Sequence, residues 1–108
     1  MKKYKRNLHS QISFKFEKDE LLEYNAGVLY VIGEKKYYWG LILICPCGCG
    51  DLLKLNLLKD ANPLWTFSVR KRKLTVYPSI WRETGCRSHF IIRNNYVIMS
   101  QAQSTYNW

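Results

Sequence analysis

The chain has 108 residues, 47% of them hydrophobic and 15% aromatic, and 17 Lys and Arg against 8 Asp and Glu leave a formal charge of +9. This excludes a disordered segment, which lacks the apolar content for a core, and the length suits one domain that buries about two thirds of its unfolded surface. The longest apolar stretch, residues 41–45, is far shorter than the roughly 18 residues of a membrane span.

The basic start MKKYKRNLHSQ leads into polar residues, without the apolar core of an export signal. A cytoplasmic location with no membrane contact is expected. Residues 1–10 read as a basic tail and residues 11–108 as a single β domain. QISFKF, residues 11–16, alternates with period two and predicts a first strand with Ile12, Phe14 and Phe16 on one face. In KDELLEYNAG, Asp19 suits the cap of a short helical turn over 19–26, with Glu20 and Glu23 near its start and Gly27 as a left-handed stop.

Residues 28–32 and 38–44 are β-branched and aromatic runs joined by GEKK, the pattern of a hairpin. A strand over 52–57 follows. LWTFSV and LTVYPS flank the charged tip RKRK, and SHFIIR and YVIMS flank Asn94 and Asn95, residues that tolerate the positive φ of a tight turn. The expected fold class is mostly β: a small single-domain antiparallel sheet or sandwich of hairpins, organised around the cysteine-rich stretch at residues 44–51, with the helical turn near 19–26.

The second predicted hairpin strand runs into ICPCGCGD, residues 44–51, where Cys45, Cys47 and Cys49 occupy alternate positions. Neighbouring cysteines rarely suit a strain-free disulfide, and the cytosol keeps thiols reduced. Metal binding is the favoured use. Glycines 48 and 50 let the backbone curl and point N–H groups at sulfur. The one other cysteine, Cys86, lies in GCRSHF with His89 three residues on. Cys45, Cys47, Cys49, Cys86 and His89 thus offer five ligand candidates for one ion. Four of them close a structural zinc site, whereas three leave a position for water, as a hydrolytic site requires.

Asp51 follows the cluster and is the candidate base for such a water, with a turn role as the alternative. Glu83, in WRETGC, is a second candidate and otherwise a solvated loop charge. Ser88 next to His89 would point to the opposite face of a strand, which suits a hydroxyl near the metal ligands better than a nucleophile. In YPSIW, residues 77–81, Pro78 ends a strand, Ser79 bonds locally, and Ile80 and Trp81 pack inward over the metal. His9 sits in the tail and carries no assigned role. The basic runs at residues 2–6 and 70–73 offer phosphate contacts, but no helix suits a groove and no aromatic RNA-binding signature is present.

GVLYVIG, CPCGCGD, YPSIW and CRSHFIIR together resemble a bacterial family of small cysteine-rich proteins classed as a domain of unknown function. Its members occur beside ubiquitin-like proteins and E1-like and E2-like enzymes. The resemblance spans about residues 27–99. It implies a ubiquitin-like partner and a zinc peptidase that trims a ubiquitin-like precursor or removes it from a target. It also places Asp51 where many relatives carry Glu, a shorter side chain at the base position. The expected activity is attack on an amide by metal-activated water; the alternative is a non-catalytic zinc module that binds a protein partner or nucleic acid.

Overall fold

The computed structural model describes residues 9–60, 64–82 and 85–99. Its strands are β1 (His9–Gln11), β2 (Ser13–Glu17), β3 (Val28–Glu34), β4 (Tyr37–Ile44), β5 (Leu52–Asn56), β6 (Thr66–Arg70), β7 (Lys73–Trp81), β8 (His89–Arg93) and β9 (Tyr96–Met99). They form a four-stranded sheet in the order β2-β3-β4-β5 and a five-stranded sheet in the order β1-β9-β8-β7-β6. The chain divides into two compact units, Ile12–Thr66 and Met1–Gln11 with Phe67–Trp108. No helix among the described residues is long and apolar enough to cross a membrane, a statement about helices alone.

In the four-stranded sheet the β3–β4 hairpin is central, so its strands are buried on both faces and read as near-continuous apolar runs. Leu29, Val31, Leu41 and Leu43 are fully buried on one face, with Leu55 of β5 beside Leu41. Tyr30, Ile32 and Ile42 form the cluster on the other, covered by Tyr24 and Val28. The hairpin carries a register shift at Gly33 and turns through Lys36 at φ 73°.

Two expectations are corrected in this unit. The predicted first strand is broken at buried Ile12: residues 9–11 pair with β9, and residues 13–17 pair with β3 in parallel, so the fold is not wholly antiparallel. Phe16 is 49% exposed rather than inward. No helical turn forms over 19–26. The Leu21 N–H donates to the Tyr24 hydroxyl at 2.7 Å and the Asn25 N–H to the Tyr30 hydroxyl at 2.9 Å, so the Tyr30 phenol takes the Asn25 donor that a helix would give to the Leu21 carbonyl. The segment is irregular, with bends at residues 18, 19 and 22 and a turn at 26–27, and Tyr24 packs edge-on against Tyr30 at 4.9 Å.

In the five-stranded sheet one face buries Leu74, Val76, Ile80, Phe90, Ile92 and Val97. Both of its two-residue turns have two consecutive left-handed residues, Lys71 and Arg72 at φ 51° and 65°, Asn94 and Asn95 at φ 51° and 67°, the geometry that matches strand twist. The second tip docks on β7: the Leu74 N–H donates to Asn95 Oδ1 at 2.7 Å, and the Asn94 N–H to Thr75 Oγ1 at 2.9 Å. His9 and Ser10, expected in a tail, belong to β1; residues 2–6 lie outside the described residues.

Candidate active site and thiol cluster

Strand β7 does not end at Pro78 as expected; it continues to Trp81 through an irregularity. Val76 pairs with Ile92 and Ile80 with Phe90, so β7 takes four residue steps where β8 takes two. The extra residues, around the cis Tyr77–Pro78 peptide, form a bulge of the kind that re-aims a side chain. Beyond it Ile80 enters the core at 3% exposure, and strand alternation puts Ser79 and Trp81 on the opposite face. His89, the register partner of Trp81, stands on that same face.

The Ser79 hydroxyl lies 3.1 Å from Nε2 of His89, within reach for direct proton transfer. The indole of Trp81 stacks flat on the imidazole, with centroids 4.3 Å apart and planes 10° from parallel. Trp81 is 57% exposed, which corrects its expected place in the core: the ring covers His89. Burial pushes the His89 pKa below its usual 6.5, because desolvation disfavours the imidazolium. A neutral imidazole beside a hydroxyl is the pairing that a serine nucleophile needs.

The loop after β7 returns through Gly85 and Arg87, both left-handed at φ 67° and 57°, and the Arg82 N–H closes it on the Ser88 carbonyl at 2.9 Å. Within it Arg82 Nη1 donates to Cys86 Sγ at 3.2 Å, and the Ser88 hydroxyl sits 3.1 Å from the same sulfur. A guanidinium contact of this kind suits a thiolate. Ser88 therefore attends Cys86, while Ser79 attends His89.

The 45–51 loop is a compact knuckle. The Cys45 N–H donates to the Asp51 carbonyl at 2.8 Å and the Gly48 N–H to the Cys45 carbonyl at 3.3 Å. Gly48 and Gly50 are left-handed at φ 97° and 89°, positions that resist a side chain. The Cys49 N–H points at Cys47 Sγ at 3.3 Å, and the sulfurs of Cys45 and Cys47 are 3.5 Å apart. The Sγ atoms of Cys45, Cys47, Cys49 and Cys86 all lie within 4.8 Å of one another, and none is in a disulfide. Tetrahedral zinc with Zn–S near 2.3 Å needs sulfurs about 3.8 Å apart, so this donor set can hold a metal ion.

Of the five ligand candidates, then, four sulfurs come together and His89 lies outside their group, with Nε2 on Ser79. Asp51 is exposed and closes the knuckle through its backbone. Glu83 lies outside the described residues. Ser79 is the residue that spacing alone does not reveal: it is ten positions from His89, and two strands and a bulge bring the pair together.

Fold and site thus define a small β protein with a serine–histidine pair and a four-thiol cluster. The chain belongs to the BubE family, described as the serine protease of a bacterial ubiquitination-like system, whose model matches residues 15–100. No curated protein and no solved structure gives a significant match. The ubiquitin-like setting agrees with what the resemblance implied; the description names serine rather than metal chemistry.

Proposed function

We propose that this chain is a serine peptidase of a bacterial ubiquitin-like pathway, with Ser79 as nucleophile and His89 as its base. The observation that carries the proposal is the 3.1 Å approach of Ser79 Oγ to His89 Nε2, together with the family's description. His89 takes the serine proton as Oγ attacks the scissile carbonyl, then gives that proton to the leaving amine. Water, deprotonated in turn by His89, releases the acyl group and restores the serine. The stacked Trp81 ring holds the imidazole plane and favours its charged form in passing, since a cation over an indole face is stabilised.

The substrate is the C-terminal tail of a ubiquitin-like protein, cut from a precursor or from a target, in the cytoplasm where thiols stay reduced. E1-like and E2-like enzymes of the same pathway build the conjugates it removes. An extended tail is the kind of ligand that adds to a sheet edge, and β6 is the edge strand next to β7. The four thiolates hold one zinc ion, and a complete four-sulfur set is of the structural kind, contributing on the order of 10 kcal/mol to folding.

A second reading keeps zinc in the chemistry, supported by the position of exposed Asp51 at the close of the knuckle. There the sulfurs of the cluster would hold a metal that supplies Lewis acidity, and Asp51, or Glu83, would be the base for the attacking water. One experiment separates the readings: cleavage of a cognate ubiquitin-like precursor, followed by mass, with Ser79→Ala and Asp51→Asn. The serine reading expects Ser79→Ala to abolish cleavage and Asp51→Asn to leave it nearly unchanged. The reverse pattern with metal retained would establish the metal reading, and no cleavage of any cognate substrate would reduce the protein to a zinc scaffold.

A further inference from the structure

The charge of +9 is not spread evenly. Among described residues of Ile12–Thr66 there are six Lys and seven Asp or Glu, a balance of −1; among those from Phe67 onward there are seven Lys or Arg and no acid, +7. The excess therefore resides on the unit that carries Ser79 and His89. Within it the two hairpin tips meet. Asn95 accepts from the Leu74 N–H, its own N–H donates to the Leu74 carbonyl at 2.9 Å, and its Nδ2 reaches the Arg72 carbonyl at 3.4 Å. Exposed Arg70, Lys71, Arg72, Lys73 and Arg93 are thereby collected at one end of the sheet.

We infer that this end is a docking surface for an acidic face of a partner protein. Five cations at or beside two hydrogen-bonded turns, with no acid among the described residues of the unit, make a local field that speeds encounter with a complementary surface. The cations cluster around two tips rather than along a helix or groove that would track a nucleic-acid backbone. The choice of a protein over a nucleic acid rests on the peptidase reading; the surface itself does not.

The test uses the full chain carrying Ser79→Ala, so binding is read without turnover. Fluorescence anisotropy follows a labelled decaglutamate peptide and a single-stranded oligonucleotide of equal formal charge, at low and physiological salt. Arg70→Gln, Lys71→Asn, Arg72→Gly and Lys73→Gln are combined in one variant. A second carries only Lys71→Asn and Arg72→Gly, the Asn-Gly pair that such a turn prefers, and so keeps the fold if the first does not. Neutralising Lys35 and Lys36 in the other unit's turn is the control. The expected result is a peptide affinity reduced about tenfold in the fourfold variant, roughly 1.4 kcal/mol, a smaller loss in the second, and almost none in the control. Unchanged affinity in the tip variants, no peptide binding, or tighter binding of the oligonucleotide at equal salt would overturn the inference. Because no cleavage is measured, failure of the peptidase reading would leave the binding result intact and readable.

Discussion

Ser79 and His89 face each other from adjacent strands, and under the proposed serine chemistry the imidazole must stay neutral until it receives the serine proton. Its depressed pKa has a definite sign: the base is the neutral form, so kcat/KM rises with pH through a midpoint below 6.5 and is flat above neutrality. A pH profile with its acid limb at or above 6.5 would contradict that. The same shift acts on folding, since an imidazole charged more readily in the unfolded chain costs stability as pH falls from 6.5 through its folded value. Trp81→Ala should lower kcat about tenfold with little change in KM, on the scale of a cation–π contact, and Trp81→Phe should restore part of it. Equal losses in all Trp81 variants would mean that the indole only fills space.

At the scale of elements, the bulge in β7 and the glycine of β3 show where local chemistry rules. A Cβ on Gly33, at φ 142°, would collide with the Tyr37 carbonyl and the Tyr38 Cα across the hairpin, backbone that cannot step aside. Gly33→Ala is therefore expected to destabilise by about 1–3 kcal/mol, read as a lower denaturation midpoint at unchanged slope. The Asn94-Asn95 turn and the glycines of the knuckle were readable in the sequence, because left-handed turns depend on residues a few positions apart. The helical turn over 19–26 was not: Asp19 supplies a capping signal, yet the Tyr30 hydroxyl captures the Asn25 N–H that the turn would bond internally, and a phenol's reach cannot be read from propensity. Nor could the approach of Ser79 to His89 be read, because it depends on two extra residues in β7, and register across strands is a tertiary property.

At the scale of the whole molecule, the proposed function gives the chemistry to Ser79 and His89 and leaves Cys45, Cys47, Cys49 and Cys86, whose sulfurs lie close together, to hold one metal ion. Native mass spectrometry should find one zinc per chain, and Cys47→Ser should lose it along with most of the thermal stability, since a structural zinc rivals the stability of an entire domain. The mixed charge of one unit and the strongly basic character of the other were visible in composition only as a total of +9, because the chain enters the basic unit, leaves it after Gln11 and returns at Phe67. The most direct measurement of the central claim is covalent labelling of the zinc-loaded chain with a fluorophosphonate, followed by intact mass and peptide mapping. One adduct on Ser79, absent from the Ser79→Ala and His89→Ala chains and present in Asp51→Asn, is the predicted result; no adduct, or an adduct on Ser88 or another serine, would contradict it.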